Sequence, residues 1–348
     1  MKKAKKQTKR KMSTKSKLMY ALIAIVSIII ISAIYVYQYS MTEYKGKTTW
    51  IMLTDSSDDS LKNTLKSELG EDYGSRVYKM WNLMGGDAKK SQGAYKIEPG
   101  TTAFDFSRRL KNSRQTPVKV IFNNVRTMDI LAEKISKDMR FTKEEFLTAC
   151  DEVLKKNGFK YEEYPAVFFP DTYEFYWTAT PQTVVERMLG YYNAFWTEQR
   201  KEKATELGLT PIQVSTLASI VEEETNKQDE RPLVARLYLN RIKIGMKLQA
   251  DPTIKFALGD FTLRRIYEDD LKVESPYNTY KYKGVPPGPI RIVSKKTLDG
   301  VLDAPQHNNI YMCAKEDFSG YHNFAEDYDQ HLANARRYQK ELNRRNIK

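Results

Sequence analysis

Thr210–Thr225, TPIQVSTLASIVEEET, is the stretch from which the fold is read. Thr210 followed by Pro211 opens a helix, with the threonine as N-cap and the proline at the first helical position. At about 100° per residue, Val214, Leu217, Ala218 and Val221 share one arc, which predicts the buried side. Glu223 falls opposite that arc and is expected to be a solvated charge. Glu222, at about +80° from Val214, and Glu224, at about −80°, sit on its two edges. A carboxyl half-buried beside a groove has a raised pKa and can hold a proton near neutral pH. Periodicity thus sets Glu223 aside and leaves Glu222 and Glu224 as alternatives.

Downstream, Glu230–Ile244 predicts a second helix with Leu233, Val234, Leu237 and Leu239 inward. The loop Gly245–Thr253 carries Gln249 and Asp251. A further loop, Ser275–Tyr280, offers Tyr277, Asn278 and Thr279 as hydrogen-bonding groups, and leads to the rigid Gly284–Ile290 run, GVPPGPI. Polar loops on a helical scaffold are a common place for substrate contacts. A strand over Ile310–Ala314, the GYHNF segment with His322, and a last helix with His331 complete this half.

Upstream, residues 40–47, SMTEYKGK, read as a short polar juxtamembrane linker, Thr48–Leu53 reads as a strand, and Leu61, Leu65 and Leu69 form a helical stripe. Ala94–Phe122 reads as strand, Pro99-Gly100 turn, helix with Phe104, Phe106 and Leu110 inward, then strand Val118–Phe122. This unit resembles the LysM fold, a small glycan-binding module. Thr142 with Glu145 predicts a capping box, followed by a helix to Leu154. Tyr161–Trp177 is dense in aromatics and is expected to be non-helical, its rings either lining a sugar groove or filling core.

The chain has 348 residues and a formal charge of +13. Nine of its 57 basic residues lie in residues 1–17, and the rest nearly balance the 44 acidic ones. The excess is therefore a tail, which argues against nucleic acid as a partner. Leu18–Tyr37, LMYALIAIVSIIIISAIYVY, follows it without a charge. At ~1.5 Å per residue this stretch spans roughly 30 Å, a bilayer core. A cleaved signal peptide is the rival reading, but the run is longer than a usual signal's apolar region and no small-x-small cleavage site follows it. As an anchor it is expected to keep the basic flank cytoplasmic and the remainder exported. Two cysteines, Cys150 and Cys313, form no metal-binding pattern, and three histidines make a multi-histidine metal site improbable.

An ordered set of motifs resembles the YceG-like (MltG) endolytic murein transglycosylases. These are Phe169–Tyr173, Ala218–Thr225, Glu230-Arg231, Asn240-Arg241, Gly245–Thr253, Ser275–Tyr280, Pro286–Ile290 and His322-x-Phe324. Ala250 departs from the family, which often has Thr there. The resemblance implies a membrane-anchored lytic transglycosylase that cuts peptidoglycan strands internally, with Glu222 as the catalytic acid and then base. It also implies a single-pass inner (cytoplasmic) membrane protein with peptidoglycan synthases as partners. Glu224, Gln249, Asp251, Tyr277, Asn278, Thr279 and His322 are the candidate substrate contacts, with no metal and no cofactor. The fold class expected is α+β. Its parts are a basic tail (1–17), a transmembrane helix (18–39), a LysM-like region (40–123) and a larger mixed helical and β catalytic domain (124–348). Two other readings remain: a non-catalytic wall-binding anchor, and a lysozyme-type hydrolase with Asp251 or Glu224 as second carboxylate.

Overall fold

The computed structural model describes residues 13–345. Most of the basic tail, residues 1–12, lies outside the described residues. The first element, α1 (Thr14–Ser40), is 27 residues of helix capped by Ser13. Among the described residues it is a helix long and apolar enough to cross a membrane. Its large side chains from Leu18 to Tyr37 are exposed to the surroundings.

The chain divides into two compact units. The first comprises residues up to Pro117 together with Tyr176–Thr178. Strands β1 (Thr49–Leu53) and β2 (Gly93–Ile97) pair antiparallel, Ile51 opposite Tyr95. Between them run α2 (Asp58–Leu69) and α3 (Glu71–Leu83), and α4 (Ala103–Lys111) follows. The predicted stripe Leu61, Leu65 and Leu69 is buried, against Val77, Trp81, Phe106 and Leu110. Thr102 caps α4 by accepting from Asp105 N–H, while Phe104 is only half-buried, beneath the Arg108 guanidinium. Residues 40–47, which read as a polar linker, instead join this unit. Ser40 and Tyr44 are buried, Glu43 bridges to Thr102, and Tyr44 N–H donates to the Thr101 carbonyl.

The second unit comprises Val118–Phe175 and the chain from Ala179 onward. Strand β3 (Val118–Phe122) was expected to close a unit with the Tyr95 strand. It pairs instead with β4 (Asp171–Phe175), Val120 opposite Tyr173. The alternating pattern specifies a strand but not its partner. Helices α5 (Met128–Ser136), α6 (Lys143–Lys156), α7 (Pro181–Phe195) and α8 (Glu198–Glu206) follow along the chain. The Thr142–Glu145 capping box opens α6 as expected. Within the aromatic stretch, Tyr161–Val167 forms a 3-10 helix, and Phe168, Phe169, Tyr173 and Phe175 are buried. Those four rings fill core and do not line a groove.

Helix α9 (Pro211–Glu224) is opened by a capping box of Thr210 and Gln213. Every residue from Val214 to Glu222 is buried, so α9 has protein on all sides and no single apolar face. Its hydroxyls are satisfied locally: Ser215 and Thr216 donate to the Pro211 and Ile212 carbonyls, and Ser219 to Thr216. Ser219 Oγ also receives the Ile290 N–H at 2.9 Å. Around it lie α10 (Arg231–Lys243), α11 (Asp251–Leu258) and α12 (Lys295–Leu302). In α10, Val234, Leu237 and Leu239 point inward as predicted, but Leu233 is exposed. The hairpin of β5 (Tyr311–Ala314) and β6 (His322–Ala325) and helix α13 (Tyr328–Arg344) end the described chain.

Helices α2 and α3 touch so closely at Gly74 that a Cβ there would lie 2.2 Å from the Leu65 carbonyl oxygen. Gly74→Ala should therefore destabilise the first unit by about 1–3 kcal/mol. Gly190→Ala, in α7 with no neighbour within 4 Å of the new carbon, should instead gain up to about 1 kcal/mol. Thermal melts of the two variants check the contrast.

Candidate active site

The three glutamates ending α9 have three different surroundings. Glu222 is buried among donors. Its Oε2 accepts from Ser294 Oγ at 2.9 Å and from Thr297 Oγ1, with Arg231 Nη1 at 3.3 Å; Arg291 Nη2 lies 3.7 Å from Oε1. Oε2 is saturated by hydroxyl donors and Oε1 faces the Arg291 guanidinium, so the Glu222 carboxylate ties the end of α9 to Ser294, Thr297 and Arg231. Glu223, expected in solvent, is instead held by two arginines. Arg126 forms a two-point contact at 3.0 and 3.1 Å, and Arg291 Nη1 lies at 2.7 Å. With α9 enclosed by protein, the direction opposite its apolar arc is not solvent, which is why periodicity misplaced Glu223.

Glu224 is different. Its Oε1 accepts from the Tyr238 hydroxyl at 2.8 Å. Burial pushes its carboxyl up to about 7, and the nearby Asp251 carboxylate adds to the rise. The Tyr238 bond, His322 and Arg241 pull the other way, by smaller amounts. Tyr238 projects from α10, Asp251 begins α11, and Tyr280 OH donates to Asp251 Oδ1 at 2.5 Å. Arg241 is fixed by the Ile310 carbonyl at 2.6 Å and by the Leu248 carbonyl. His322 stands at the start of β6 with Nδ1 2.9 Å from Glu230 Oε2.

Of the sequence candidates, then, Glu224, Asp251 and His322 are drawn together electrostatically. Gln249 lies on the exposed turn before α11, at a φ of +49° that non-glycine residues rarely adopt. Its N–H is bound to the Thr279 carbonyl. Asn278 and Thr279 are buried and spend their polar groups on neighbouring protein atoms. Asn278 is fully buried, donating to the Leu271 and Val273 carbonyls and accepting from the N–H groups of Tyr280 and Lys281. Thr279 Oγ1 receives the Ala250 N–H and meets Thr253 Oγ1 at 2.8 Å. Together they hold the 275–280 loop against the start of α11. Tyr277 packs its ring on Phe256 at 4.7 Å between centroids. Sequence reasoning did not single out Tyr238, Arg241, Tyr280 or Glu230 as site residues. Three of them, Arg241, Tyr280 and Glu230, stood only as letters within longer motifs.

A carboxyl of raised pKa at the end of a buried helix, faced by a phenol, a second carboxylate and an imidazole, is a site built for proton transfer. The YceG-like family model matches residues 55–337, and the chain belongs to that family. It is 28% identical over 210 residues to the endolytic murein transglycosylase of Bacillus subtilis (strain 168), covering 53% of this chain and 56% of that protein. It is 29% identical over 194 residues to the endolytic murein transglycosylase of Streptococcus pneumoniae serotype 2 (strain D39), covering 52% of this chain and 33% of that one. The chain thus spans between a third and somewhat over half of the curated relatives it matches. The fold is similar to the crystal structure of a yceG-like protein from Listeria monocytogenes. The TM-score is 0.55 at 21% identity, over 82% of this chain and 98% of that one.

The raised carboxyl has a stability consequence. Glu224 keeps its proton up to about pH 7 when folded, against an ordinary value of 4.5. Between those values the folded protein binds more protons than the unfolded chain, so stability falls as pH rises. Glu224→Gln removes that penalty and keeps the acceptor for Tyr238. It should be more stable than the wild type at pH 8, by on the order of 2–3 kcal/mol, and nearly equal at pH 5. Denaturant unfolding at the two pH values measures this.

Proposed function

We propose that this chain is a membrane-anchored endolytic lytic transglycosylase of peptidoglycan, with Glu224 as the proton-donating carboxyl in place of Glu222. The observation that carries the reading is the Glu224 carboxyl raised to about 7 beside Tyr238 at the end of α9. Family membership and the names of the Bacillus and Streptococcus relatives support the substrate class. Glu224 protonates the oxygen between N-acetylmuramic acid and N-acetylglucosamine, and the bond opens through an oxocarbenium-like state. The muramyl 6-hydroxyl gives its proton to a base of the site and closes on C1 as a 1,6-anhydro ring. No water is consumed. Glu222, its Oε2 taken by Arg231, Ser294 and Thr297, holds the helix end in place.

The first unit serves as a LysM-like glycan-binding module. α1 crosses the inner (cytoplasmic) membrane with the basic tail inside, and the cut limits the length of strands made by nearby peptidoglycan synthases. A hydrolytic reading is favoured by one observation, the Asp251 carboxylate near Glu224, which could activate water.

Digestion of purified peptidoglycan separates these readings. Transglycosylation gives 1,6-anhydro ends about 18 Da lighter than hydrolysed ends and resistant to borohydride. Hydrolysis gives reducible ends, and a binding anchor gives none. Endolytic cutting yields mixed lengths early, whereas early disaccharide would reject it. Glu224→Gln should abolish cutting. Glu222→Gln should lower the melting temperature and retain partial activity. The rate should fall as pH rises through about 7, because the acid must carry its proton.

Topology is tested separately. A reporter active only in the cytoplasm, fused after Lys348, should be silent, while one fused before Met1 should be active.

A further inference from the structure

The Glu230 carboxylate is buried, with 2% of the side chain exposed, where α10 begins. It accepts two bonds from one residue: the His322 backbone N–H at 2.6 Å and the ring Nδ1 at 2.9 Å. Next to it, Tyr321 OH lies 3.0 Å from Asp229 Oδ2. The start of β6 is thus fastened at two adjacent points to the turn between α9 and α10. That turn, Thr225–Asp229, begins directly after Glu224 and ends at Glu230. Arg231 Nε closes it onto the Thr225 carbonyl at 3.3 Å. Glu224 and the Glu230 that holds His322 therefore stand at the two ends of one short turn, and His322 is close enough to act on the Glu224 carboxyl.

A purely structural clip would need only the backbone bond. The second bond, to Nδ1, fixes the ring's tautomer and orientation, because an Nδ1–H that donates to a carboxylate leaves Nε2 with its lone pair. Only 17% of the His322 side chain is exposed, so the ring is held and has little freedom to turn.

We propose that Glu230 and His322 form a carboxylate–imidazole dyad whose Nε2 is the base that takes the proton of the ring-closing sugar hydroxyl. This assignment rests on the transglycosylase reading and completes its proton balance. Glu224 gives its proton to the glycosidic oxygen, and the C1–O bond breaks with its electron pair on that oxygen. The 6-hydroxyl oxygen bonds to C1, and its proton passes to His322 Nε2. The imidazolium then returns a proton to the Glu224 carboxylate, directly or through the site, and both groups are reset with no water added. The Glu230 charge stabilises the imidazolium between the two transfers, so Glu230 is a positioning residue and His322 a catalytic one.

The experiment compares full-length chains in detergent on purified glycan strands. The variants are His322→Ala, His322→Asn and Glu230→Gln, with and without added imidazole. His322→Asn is the separating variant, since its amide can still donate to Glu230 from the Nδ position but has no Nε2. It should fold like the wild type and lose about 100-fold in kcat with little change in KM. His322→Ala should lose as much and regain at least about tenfold with imidazole, still giving 1,6-anhydro ends. Glu230→Gln should fall about tenfold. A folded His322→Asn that keeps its rate within about threefold would overturn the dyad, as would a folded His322→Ala that imidazole does not rescue. A wild type that forms no anhydro ends would sink the transglycosylase reading and this assignment with it, an outcome distinct from either variant result.

Discussion

Arg291 spans Glu222 and Glu223, and the arrangement of the site depends on that bridge. Three consecutive carboxylates at the end of a buried helix would repel one another strongly, since the protein interior screens charge poorly. Arg291, with Arg231 on one side and Arg126 on the other, neutralises the first two. Among the described residues, no arginine is bound to the third. The planar fork of arginine suits this role, because it can meet two carboxylates from one side chain, whereas a lysine offers a single point charge. Removing one partner from such a buried group costs about 3–5 kcal/mol, because an uncompensated charge stays behind. In the proposed mechanism, the clamp leaves Glu224 as the glutamate that exchanges protons.

Much of the architecture could be read in advance because local rules are strong where one face is buried and the other wet. The leucine stripe of α2, the Thr142 capping box and the alternating Val118–Phe122 strand are of this kind. Strand pairing was not legible in the same way. Val118–Phe122 carries the same alternation whether its partner is Tyr95 or Tyr173, and the choice is made by packing between segments some fifty residues apart in the chain. The linker reading of residues 40–47 failed because polarity alone does not report that a Tyr44 ring is buried against Tyr73.

The site was legible in part. Helical spacing brought Glu224 forward, and loop position together with the family's motif set brought Asp251 and His322. The ranking of Glu222 over Glu224 could not be made by periodicity, which assumes one dry side, whereas α9 is enclosed all round. The hydroxyl pair Ser294 and Thr297, which occupies Glu222, comes from a distant segment with no catalytic look. Asn278 misled for the opposite reason. A polar residue in a turn-rich loop suggests an open hydrogen-bonding group, yet all its capacity is spent on its own loop.

The way α1 joins the first unit sets a mechanical condition. Tyr39, in its last turn, lies under the Arg76 guanidinium at 4.5 Å, and Ser40 and Tyr44 are buried at once. There is no slack between helix and folded unit, so in the proposed topology the anchor acts as a stiff post and not as a tether. A domain on a long leash sweeps a volume that grows with leash length. In that topology this unit can only pivot with its post, which would confine it to a thin layer next to the bilayer.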